Sequence, residues 1–196
     1  MTDSTESRRP RASATAKRQR LAAATARVLH EQGVERTTIA DIARAADVPA
    51  GNVYYYFKTK DELVEAALEE HTAHLNALTD RLDRLPDPRE RLKGLITEWV
   101  AQRESTARYG CPTGTLATEI DKREGGLDAA AGRVIRQLLD WVEQQYRLLD
   151  APDPAGRALA LVGAYQGMSL LSNALRDPEI MTREGARLLR ELDAPS

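Results

Sequence analysis

The sequence predicts an all-α protein of about nine helices, with a small N-terminal three-helix domain followed by a larger C-terminal helical domain. Two observations support this fold class. Apolar residues recur three and four positions apart through most of the chain, and strand-like alternation of any length is absent. Proline and glycine interrupt the helical pattern at 86–88, 109–112, 125–126, 152–154 and 178, which divides it into separate helices.

The first segment, residues 1–13, is rich in Ser, Thr, Arg and Pro, a composition that predicts a disordered arm. The arm is basic, so it fits either a contact with nucleic-acid phosphates or a solvated tail. Its arginines are Arg8, Arg9 and Arg11. Residues 14–32 then carry the pattern of a first long helix, and Gly33 is typical of a helix C-terminus.

The segment 38–63 contains two short helical patterns, over about 38–46 and 49–56, separated by a tight turn. Thr38 is a suitable N-cap for the first, and Asp41 stands where an acidic side chain completes a capping box. In a helix-turn-helix, the first helix packs against a second helix that enters the DNA major groove. The segment has this layout and therefore predicts a helix-turn-helix. The alternative interpretation is an ordinary helical hairpin.

The second short helix carries an aromatic cluster and is followed by two lysines. Val53 and Phe57 are four residues apart and should point inward. Tyr54, Tyr55 and Tyr56 cannot all be buried on one helix, so at least one should face solvent. Exposed tyrosines and lysines beside a helix-turn-helix favour contacts with phosphates over plain packing.

The pattern T-x-x-x-I-A-x-x-A-x-V-x-x-G-x-x-Y-x-Y-F-x-x-K-x-x-L, in the segment from about Gly33 to Leu63, resembles the DNA-binding domain of the TetR family of bacterial repressors. That family usually has glycine in the turn, where this chain has Asp47. Aspartate tolerates a left-handed backbone better than most residues, so we expect the turn to be kept.

The resemblance implies phosphate contacts from one set of residues and base contacts from another. Asn52 is the best candidate for reading a base, because an amide pairs bidentately with adenine. Ala50 and Gly51 carry no long polar side chain, so much of the grip should come from phosphates. The implied DNA-contacting residues are Thr38, Ala50, Gly51, Asn52, Tyr54, Tyr55 and Lys60.

The charge distribution agrees with a nucleic-acid-binding front. The 196-residue chain has a net charge of −2, but residues 1–60 carry +5 and residues 61–196 carry −7. The N-terminus lacks the apolar segment of a secretory signal, and no apolar run is expected to reach the length of a membrane span. The single cysteine, Cys111, cannot form an intrachain disulfide, so we expect a cytoplasmic protein.

Residues 61–196 are expected to bind a ligand and to dimerise. The stretch G-C-P-x-G-x-L-A-x-E at 110–119 is similar to a signature of the LmrA/YxaF-like subgroup, which implies, loosely, a drug-like or small aromatic effector. Apolar and aromatic side chains between helices suit such a cavity, although plain core packing explains the same residues. The cavity candidates are Leu82, Trp99, Tyr109, Cys111, Leu116, Glu119, Trp141, Tyr165 and Met168.

The last two helical patterns predict a dimer surface, since small and apolar residues recur on one side of 153–175. The candidate interface residues are Leu159, Val162, Gly163, Gln166, Leu170, Leu188 and Leu189. A two-fold dimer would read a palindromic double-stranded DNA operator with half-sites about one turn apart. A long helix over 60–82 would transmit a ligand-induced movement to the DNA-binding helices.

The function predicted is a transcriptional repressor that a small hydrophobic or aromatic ligand releases from its operator. One alternative is a repressor in which Cys111 senses oxidants or electrophiles, rather than being a small buried hydrophobe. Another is an architectural DNA-binding protein that ignores small molecules. An enzyme is not expected, because no nucleotide-binding motif is present and the His71/His74 pair is a weak metal signal. No cofactor or metal is predicted.

Overall fold

The computed structural model describes residues 8–120 and 127–194, with side chains from residue 14 onward except residue 128. Every regular element in these ranges is an α-helix, so the all-α fold class is confirmed. The helices are α1 (Arg8–Gln32), α2 (Ile39–Ala45), α3 (Ala50–Tyr56), α4 (Lys60–Leu82), α5 (Pro88–Ala101), α6 (Arg103–Tyr109), α7 (Pro112–Ile120), α8 (Leu127–Leu148), α9 (Pro154–Leu175) and α10 (Glu179–Asp193).

The helix bounds differ from expectation in two places. The pattern over 88–105 is divided into α5 and α6 by Gln102 (φ −91°, ψ 9°), so the described residues form ten helices rather than about nine. Helix α1 begins at Arg8, so the end of the expected disordered arm is helical, as suits a stretch rich in Arg and Ala. The rest of the arm, residues 1–7, and the expected break at 125–126 lie outside the described residues.

The chain forms two compact units, divided after His71. We call the part up to His71 the head and the part from Thr72 onward the rear unit. The head buries the apolar faces of α1, α2, α3 and the start of α4, with alanine at several positions that allow the short helices to approach closely. The core of the head comprises Leu21, Ala22, Ala24, Ile42, Ala43, Ala46, Val48, Val53, Phe57, Leu63 and Ala66.

The division falls inside α4, beyond the boundary at residue 60 that the sequence suggested. Leu63 and Ala66 lie on α4 but belong to the core of the head, which explains the shift. One helix therefore contributes its first turns to the head and its later turns to the rear unit.

The rear unit is built around α5, α8, α9 and α10, whose inward faces form its main core. Trp99 of α5 and Tyr165 of α9 stack with ring centroids 4.3 Å apart and planes 16° from parallel. At Gly185 of α10 an added Cβ would lie 2.3 Å from Val100 Cγ2, so only glycine allows α10 to pack this closely on α5. Such contacts fix how the helices of the rear unit are packed together.

Helix α9 is unusually apolar. An 18-residue window of this 22-residue helix reaches a mean hydropathy of 1.2, enough by length and composition alone to cross a membrane, a test that the core helix of a soluble protein also passes. Only 39% of that apolar window is buried inside the chain. Helix α9 therefore keeps an apolar side that the rest of the described chain does not cover.

Candidate nucleic-acid interface and effector region

A reciprocal capping box closes the N-terminus of α2, as expected. The Asp41 amide donates to Thr38 Oγ1 (3.2 Å), and the Thr38 amide donates to Asp41 Oδ2 (3.1 Å). The Thr38 hydroxyl also donates to Asp41 Oδ2 (2.6 Å). These hydrogen bonds from Thr38, followed by the charge of Arg44, hold the pKa of Asp41 below its ordinary value. In the free protein the Thr38 hydroxyl is thus committed to the cap, and a DNA phosphate would compete for it with Asp41.

The turn between α2 and α3 takes the left-handed backbone expected of it. Asp47 has φ 52°, in the region where the family pattern has glycine. The Arg20 guanidinium donates to the carbonyl oxygens of Ala46 (2.6 Å) and Asp47 (3.0 Å), and Arg27 donates to that of Ala45 (3.0 Å). These bonds satisfy carbonyl groups at the end of α2 that lack helical partners.

Neither arginine was expected to take part in the turn. Arg20 and Arg27 are seven residues apart, about two helical turns, and therefore lie on one face of α1. The spacing relates the two arginines to each other, but their shared partner, the end of α2, follows only from how α1 packs against α2. Both side chains therefore bond to the turn that leads into α3.

The first turn of α3 is open to solvent. Ala50, Gly51 and Asn52 are all exposed, and a Cβ built on Gly51 would meet no atom within 4 Å. Pro49 is the N-cap residue rather than the first helical residue expected from the sequence. A surface this low allows the backbone of α3 to approach the floor of a groove closely.

The remaining residues of α3 divide between the core and the surface. Val53 and Phe57 are buried, which confirms the prediction from their spacing. Tyr54 is 55% exposed and Tyr55 is 73% exposed, whereas Tyr56 is half-buried. Tyr55 and Tyr56 meet edge to face with centroids 5.0 Å apart. Two tyrosine rings on α3 therefore extend into solvent with their hydroxyl groups available.

The two lysines after α3 have different surroundings. Lys58 Nζ donates to the carbonyl oxygens of Tyr54 (2.8 Å) and Tyr55 (3.4 Å), so it caps the C-terminus of α3. Lys60 begins α4, and its Nζ donates to the Glu35 carbonyl oxygen at 3.4 Å. The structure thus keeps Lys60 at the surface of the head, as the DNA-contact hypothesis requires, and assigns Lys58 to helix capping.

Most residues expected to line an effector cavity are packed in the core of the rear unit. Trp99 and Tyr165 form the stacked pair described above, and burial, followed by the neighbouring Cys111, raises the pKa of the Tyr165 hydroxyl, which stays neutral. The alternative of core packing therefore describes these rings. The buried members of the set are Leu82, Trp99, Cys111, Leu116, Tyr165 and Met168.

The other three candidates, Tyr109, Glu119 and Trp141, are half-buried, and Trp141 packs against the core that contains the stacked rings. The Arg108 guanidinium lies 5.2 Å from the Tyr109 ring centroid, a cation–π contact. Trp141 Nε1 donates to Asp83 Oδ1 (3.1 Å). Glu119 lies on α7, close to the end of that helix.

Cys111 does line a cavity, of about 330 Å³, where α6 meets α7 beside α9. Its Sγ accepts hydrogen bonds from the Gly114 amide (3.3 Å) and from Gln166 Nε2 (3.7 Å). Both donors face the sulfur atom that an oxidant or electrophile would modify. The cavity is lined by Gly110, Cys111, Gly114, Thr115, Thr118, Gln166, Ser169, Leu170 and Asn173.

The dimer candidates are divided between surface and core. Leu159 and Leu170 are exposed on α9, but Val162 and Leu188 are buried in the rear unit, which corrects their assignment to the interface. Val162 is three residues from Leu159 and therefore lies near it around α9, but at the edge of the exposed side, where its side chain packs into the core of the rear unit. Of the other candidates Gly163 is exposed, and Gln166 and Leu189 are half-buried.

One side of α9 carries only apolar or small residues, and we call it the α9 face. It includes Leu171 and Leu175, which were not among the candidates. Contiguous exposed leucines of this kind are uncommon on monomeric proteins. The α9 face comprises Leu159, Ala160, Gly163, Gly167, Leu170, Leu171, Ala174 and Leu175.

No group of three or more His, Cys, Asp or Glu side chains is arranged to hold a metal ion among the residues that the structure describes. His71 and His74 both lie on α4. An ordinary metal site needs at least one more ligand than such a pair provides.

A capped pair of short helices with an open first turn, exposed tyrosines and a surface lysine defines a DNA-binding helix-turn-helix protein. A family profile described as bacterial regulatory proteins, tetR family, matches residues 21–67. A second profile, described as tetracyclin repressor-like, C-terminal domain, matches residues 88–187. The chain belongs to the TetR family of DNA-binding transcriptional regulators.

Proteins similar to this chain in sequence are also described as transcriptional regulators. The chain is 36% identical over 99 residues to the probable regulator ArpR of Pseudomonas putida, and 35% identical over 99 residues to the regulator TtgR of the same species. Each match covers 47% of this chain and 47% of the relative, so the chain spans about half the length of these two. A regulator in the lacX 3′ region of Lactococcus lactis is 25% identical over 177 residues, covering 84% of this chain and 87% of that protein.

Solved structures agree with the fold. The reduced form of Escherichia coli NemR superposes with a TM-score of 0.75 at 22% identity, covering 87% of this chain and 94% of that one. A TetR-family regulator from Agrobacterium tumefaciens gives a TM-score of 0.80 at 17% identity, covering 90% and 97%. At these identities the likeness supports the fold alone.

Proposed function

We propose that this regulator is a homodimeric repressor that binds a palindromic operator and is released from it by a small hydrophobic or aromatic effector. The observation that carries the proposal is the surface of α3, where an open first turn is followed by two exposed tyrosines. The remaining elements of the head bury their apolar faces and hold that surface in position.

The exposed residues of the head suit two kinds of DNA contact, some with phosphates and others with base edges. Tyr54 and Tyr55 have exposed hydroxyl groups that can donate to phosphate oxygens, and Lys60 adds a positive charge at the start of α4. Asn52 stands in the exposed first turn, where its amide can pair with the adenine edge. Ala50 and Gly51 leave room for close approach, so DNA shape should contribute to specificity.

A second copy of this chain is the partner that best fits the α9 face. Four leucines lie exposed there, and Gly163 and Gly167 allow a partner helix to approach closely. A two-fold axis through this face would bring identical apolar surfaces together, which is the usual form of a homodimer interface. Two heads then match two half-sites about one DNA turn apart.

The cavity beside Cys111 is the place in the rear unit that best suits the effector. Its volume of about 330 Å³ lies at the lower end of ligand pockets, and it combines apolar walls with the polar groups of Thr115, Gln166 and Asn173. Leu170 borders both the cavity and the α9 face, so an occupant would touch the dimer surface as well. An effector that favours one dimer geometry shifts the population toward it.

Cys111 also supports the second candidate, a repressor that responds to electrophiles. Its sulfur lines the cavity and accepts hydrogen bonds from Gly114 and Gln166, so a small electrophile in the cavity would reach Sγ. Addition of the thiol to an activated alkene would form a carbon–sulfur bond in place of the alkene π bond, transfer the thiol proton to the neighbouring carbon and fill the cavity. The resemblance of residues 110–119 to the LmrA/YxaF-like subgroup loosely favours an aromatic or drug-like effector.

The first experiment is selection of bound DNA from a random duplex library with the full chain. Release of the selected DNA is then measured against a panel of neutral aromatic compounds and of electrophiles. A reversible effector should release wild type and the Cys111→Ser variant alike, whereas electrophile sensing should be lost in Cys111→Ser. If the chain enriches no DNA sequence, the proposed repressor function is wrong.

A further inference from the structure

A separate opening lies at one end of the rear unit, where α5 begins, α8 ends, α9 begins and α10 ends. Two adjoining cavities, of about 320 Å³ and 310 Å³, share four lining residues there. We call this combined space the arginine groove. The shared residues are Tyr146, Arg157, Glu191 and Leu192.

The groove combines positive charge with hydrocarbon. Three guanidinium groups line it, from Arg89, Arg157 and Arg187, against one carboxylate, from Glu191. Its apolar lining residues are Leu149, Ala151, Ala160, Leu161, Leu188, Leu192 and Ala194. A site of this composition suits a molecule that is an anion at one end and hydrocarbon at the other.

The arginines of the groove are not equally neutralised. Arg187 pairs with the carboxylates of Glu184 and Glu191. In contrast, Arg157 Nε donates to the Pro152 carbonyl oxygen (3.0 Å), and Arg89 Nη1 donates to the carbonyl oxygen of Leu192. These two guanidinium groups therefore orient on neutral oxygen atoms of the backbone and keep their charge for a further acceptor.

Tyr146 supplies a neutral donor at the centre of the groove. Burial raises the pKa of its hydroxyl, so it stays protonated at neutral pH. The Arg157 guanidinium carbon lies 6.0 Å from the Tyr146 ring centroid. The positive charge of Arg157 therefore lies beside the ring that carries the Tyr146 hydroxyl. Both residues border both cavities, so a head group held by them leaves apolar walls on either side.

We propose that the arginine groove binds an amphipathic monocarboxylate, whose carboxylate accepts hydrogen bonds from Arg157 and Arg89 and whose hydrocarbon part lies along the leucines. The site is distinct from the cavity beside Cys111, since the two share no lining residue. A medium-chain fatty acid, one carboxylate on a flexible chain, has the required chemistry.

The test is calorimetric titration of the full chain with octanoate, below its micelle concentration, and with the neutral analogue octanol. We expect saturable octanoate binding and binding of octanol at least about tenfold weaker, because octanol lacks the charged acceptor. Arg157→Gln should weaken octanoate binding at least about tenfold. Arg190→Gln, at an exposed position of α10 that lines neither cavity, should bind octanoate like wild type.

A chain that binds no octanoate, or binds octanol equally well, would overturn the proposal. Equal octanoate affinities in Arg157→Gln and Arg190→Gln would overturn it as well, because the anion would then be held elsewhere. Thermal unfolding of both variants checks that each remains folded. Tyr146→Phe keeps the ring but removes the hydroxyl donor, so it should lower octanoate affinity less than Arg157→Gln does.

Discussion

The head and the rear unit both expose large apolar side chains, but the chemistry of the two surfaces differs. Tyr54 and Tyr55 of the head end in hydroxyl groups that remain compatible with water and can donate to phosphates. Leu159, Leu170 and Leu171 on the α9 face of the rear unit offer only hydrocarbon. We therefore infer that the first surface suits a polar polymer and the second a copy of itself.

The largest expected effect comes from placing a charge on the α9 face. Leu170→Glu would bury two unpaired carboxylates in a two-fold interface, so we expect dimer dissociation to become at least about a hundredfold more favourable. The control is Leu148→Glu, which changes an exposed leucine of α8 outside the α9 face. Sedimentation equilibrium measures both, and equal behaviour of the two variants would remove the α9 face from the interface.

The next effect concerns the tyrosines of the head. Replacing Tyr54 and Tyr55 together with Phe keeps both rings but removes two donors to phosphate, so we expect operator affinity to fall about tenfold to a hundredfold. Tyr56→Phe, at the half-buried neighbour, should leave the affinity almost unchanged. Fluorescence anisotropy with the selected operator distinguishes these outcomes, and an unaffected double variant would mean that the tyrosines do not contact DNA through their hydroxyls.

These two surfaces were not equally predictable from the sequence. In the head, the inward positions of Val53 and Phe57, the left-handed Asp47 and the Thr38 cap all follow from residues a few positions apart. Local spacing determines such features, so the helix-turn-helix could be derived almost completely. The contribution of Arg20 could not, because it depends on how α1 packs across α2.

In the rear unit the outcome depends on contacts between distant parts of the chain. From the sequence alone, an aromatic residue such as Trp99 could line a cavity or pack in the core. Its stacking on Tyr165 shows that it packs in the core. The rotation of α9 about its axis buries Val162 and exposes Leu171, which helical periodicity alone did not establish. The arginine groove likewise joins the start of α5 and the end of α10 to the connection between α8 and α9, three segments that are far apart in sequence.

A smaller effect is expected at the cap of α2. Thr38→Ala removes the hydroxyl that accepts from the Asp41 amide, so we expect a loss of about 1 kcal/mol in the free energy of unfolding. Thr38→Ser keeps the cap and should retain most of that stability. Urea unfolding measures the stability, and operator binding by the stable Thr38→Ser variant separates capping from any contact that needs the threonine methyl group.

The cap should also make stability depend on pH. The pKa of Asp41 is lowered in the folded chain, so its contribution is present above the unfolded value of about 3.9 and is lost as pH falls through the folded pKa. Asp41→Asn should flatten this part of the acid unfolding curve. An unchanged pH dependence of unfolding in that variant would show that the Asp41 carboxylate does not contribute.

The smallest effect is expected at the turn. Asp47→Gly would relieve a left-handed backbone at φ 52° but would increase the freedom of the unfolded chain, so we expect a change in unfolding free energy of less than about 1 kcal/mol. Operator affinity should stay as in wild type, because the Arg20 bonds to the backbone carbonyls remain. A large loss of affinity in Asp47→Gly would show that the aspartate side chain has a role in binding.

The most direct test of the link between the two surfaces is the spacing of the operator half-sites. Inserting about five base pairs between them rotates one half-site by about half a turn of DNA, out of reach of a rigid dimer. We expect the half-turn insertion to remove most of the affinity for the selected operator. An insertion of about ten base pairs returns both half-sites to the same face of the DNA, so we expect it to lower the affinity less. Unchanged affinity after the half-turn insertion would contradict a dimer joined through the α9 face that reads both half-sites at once.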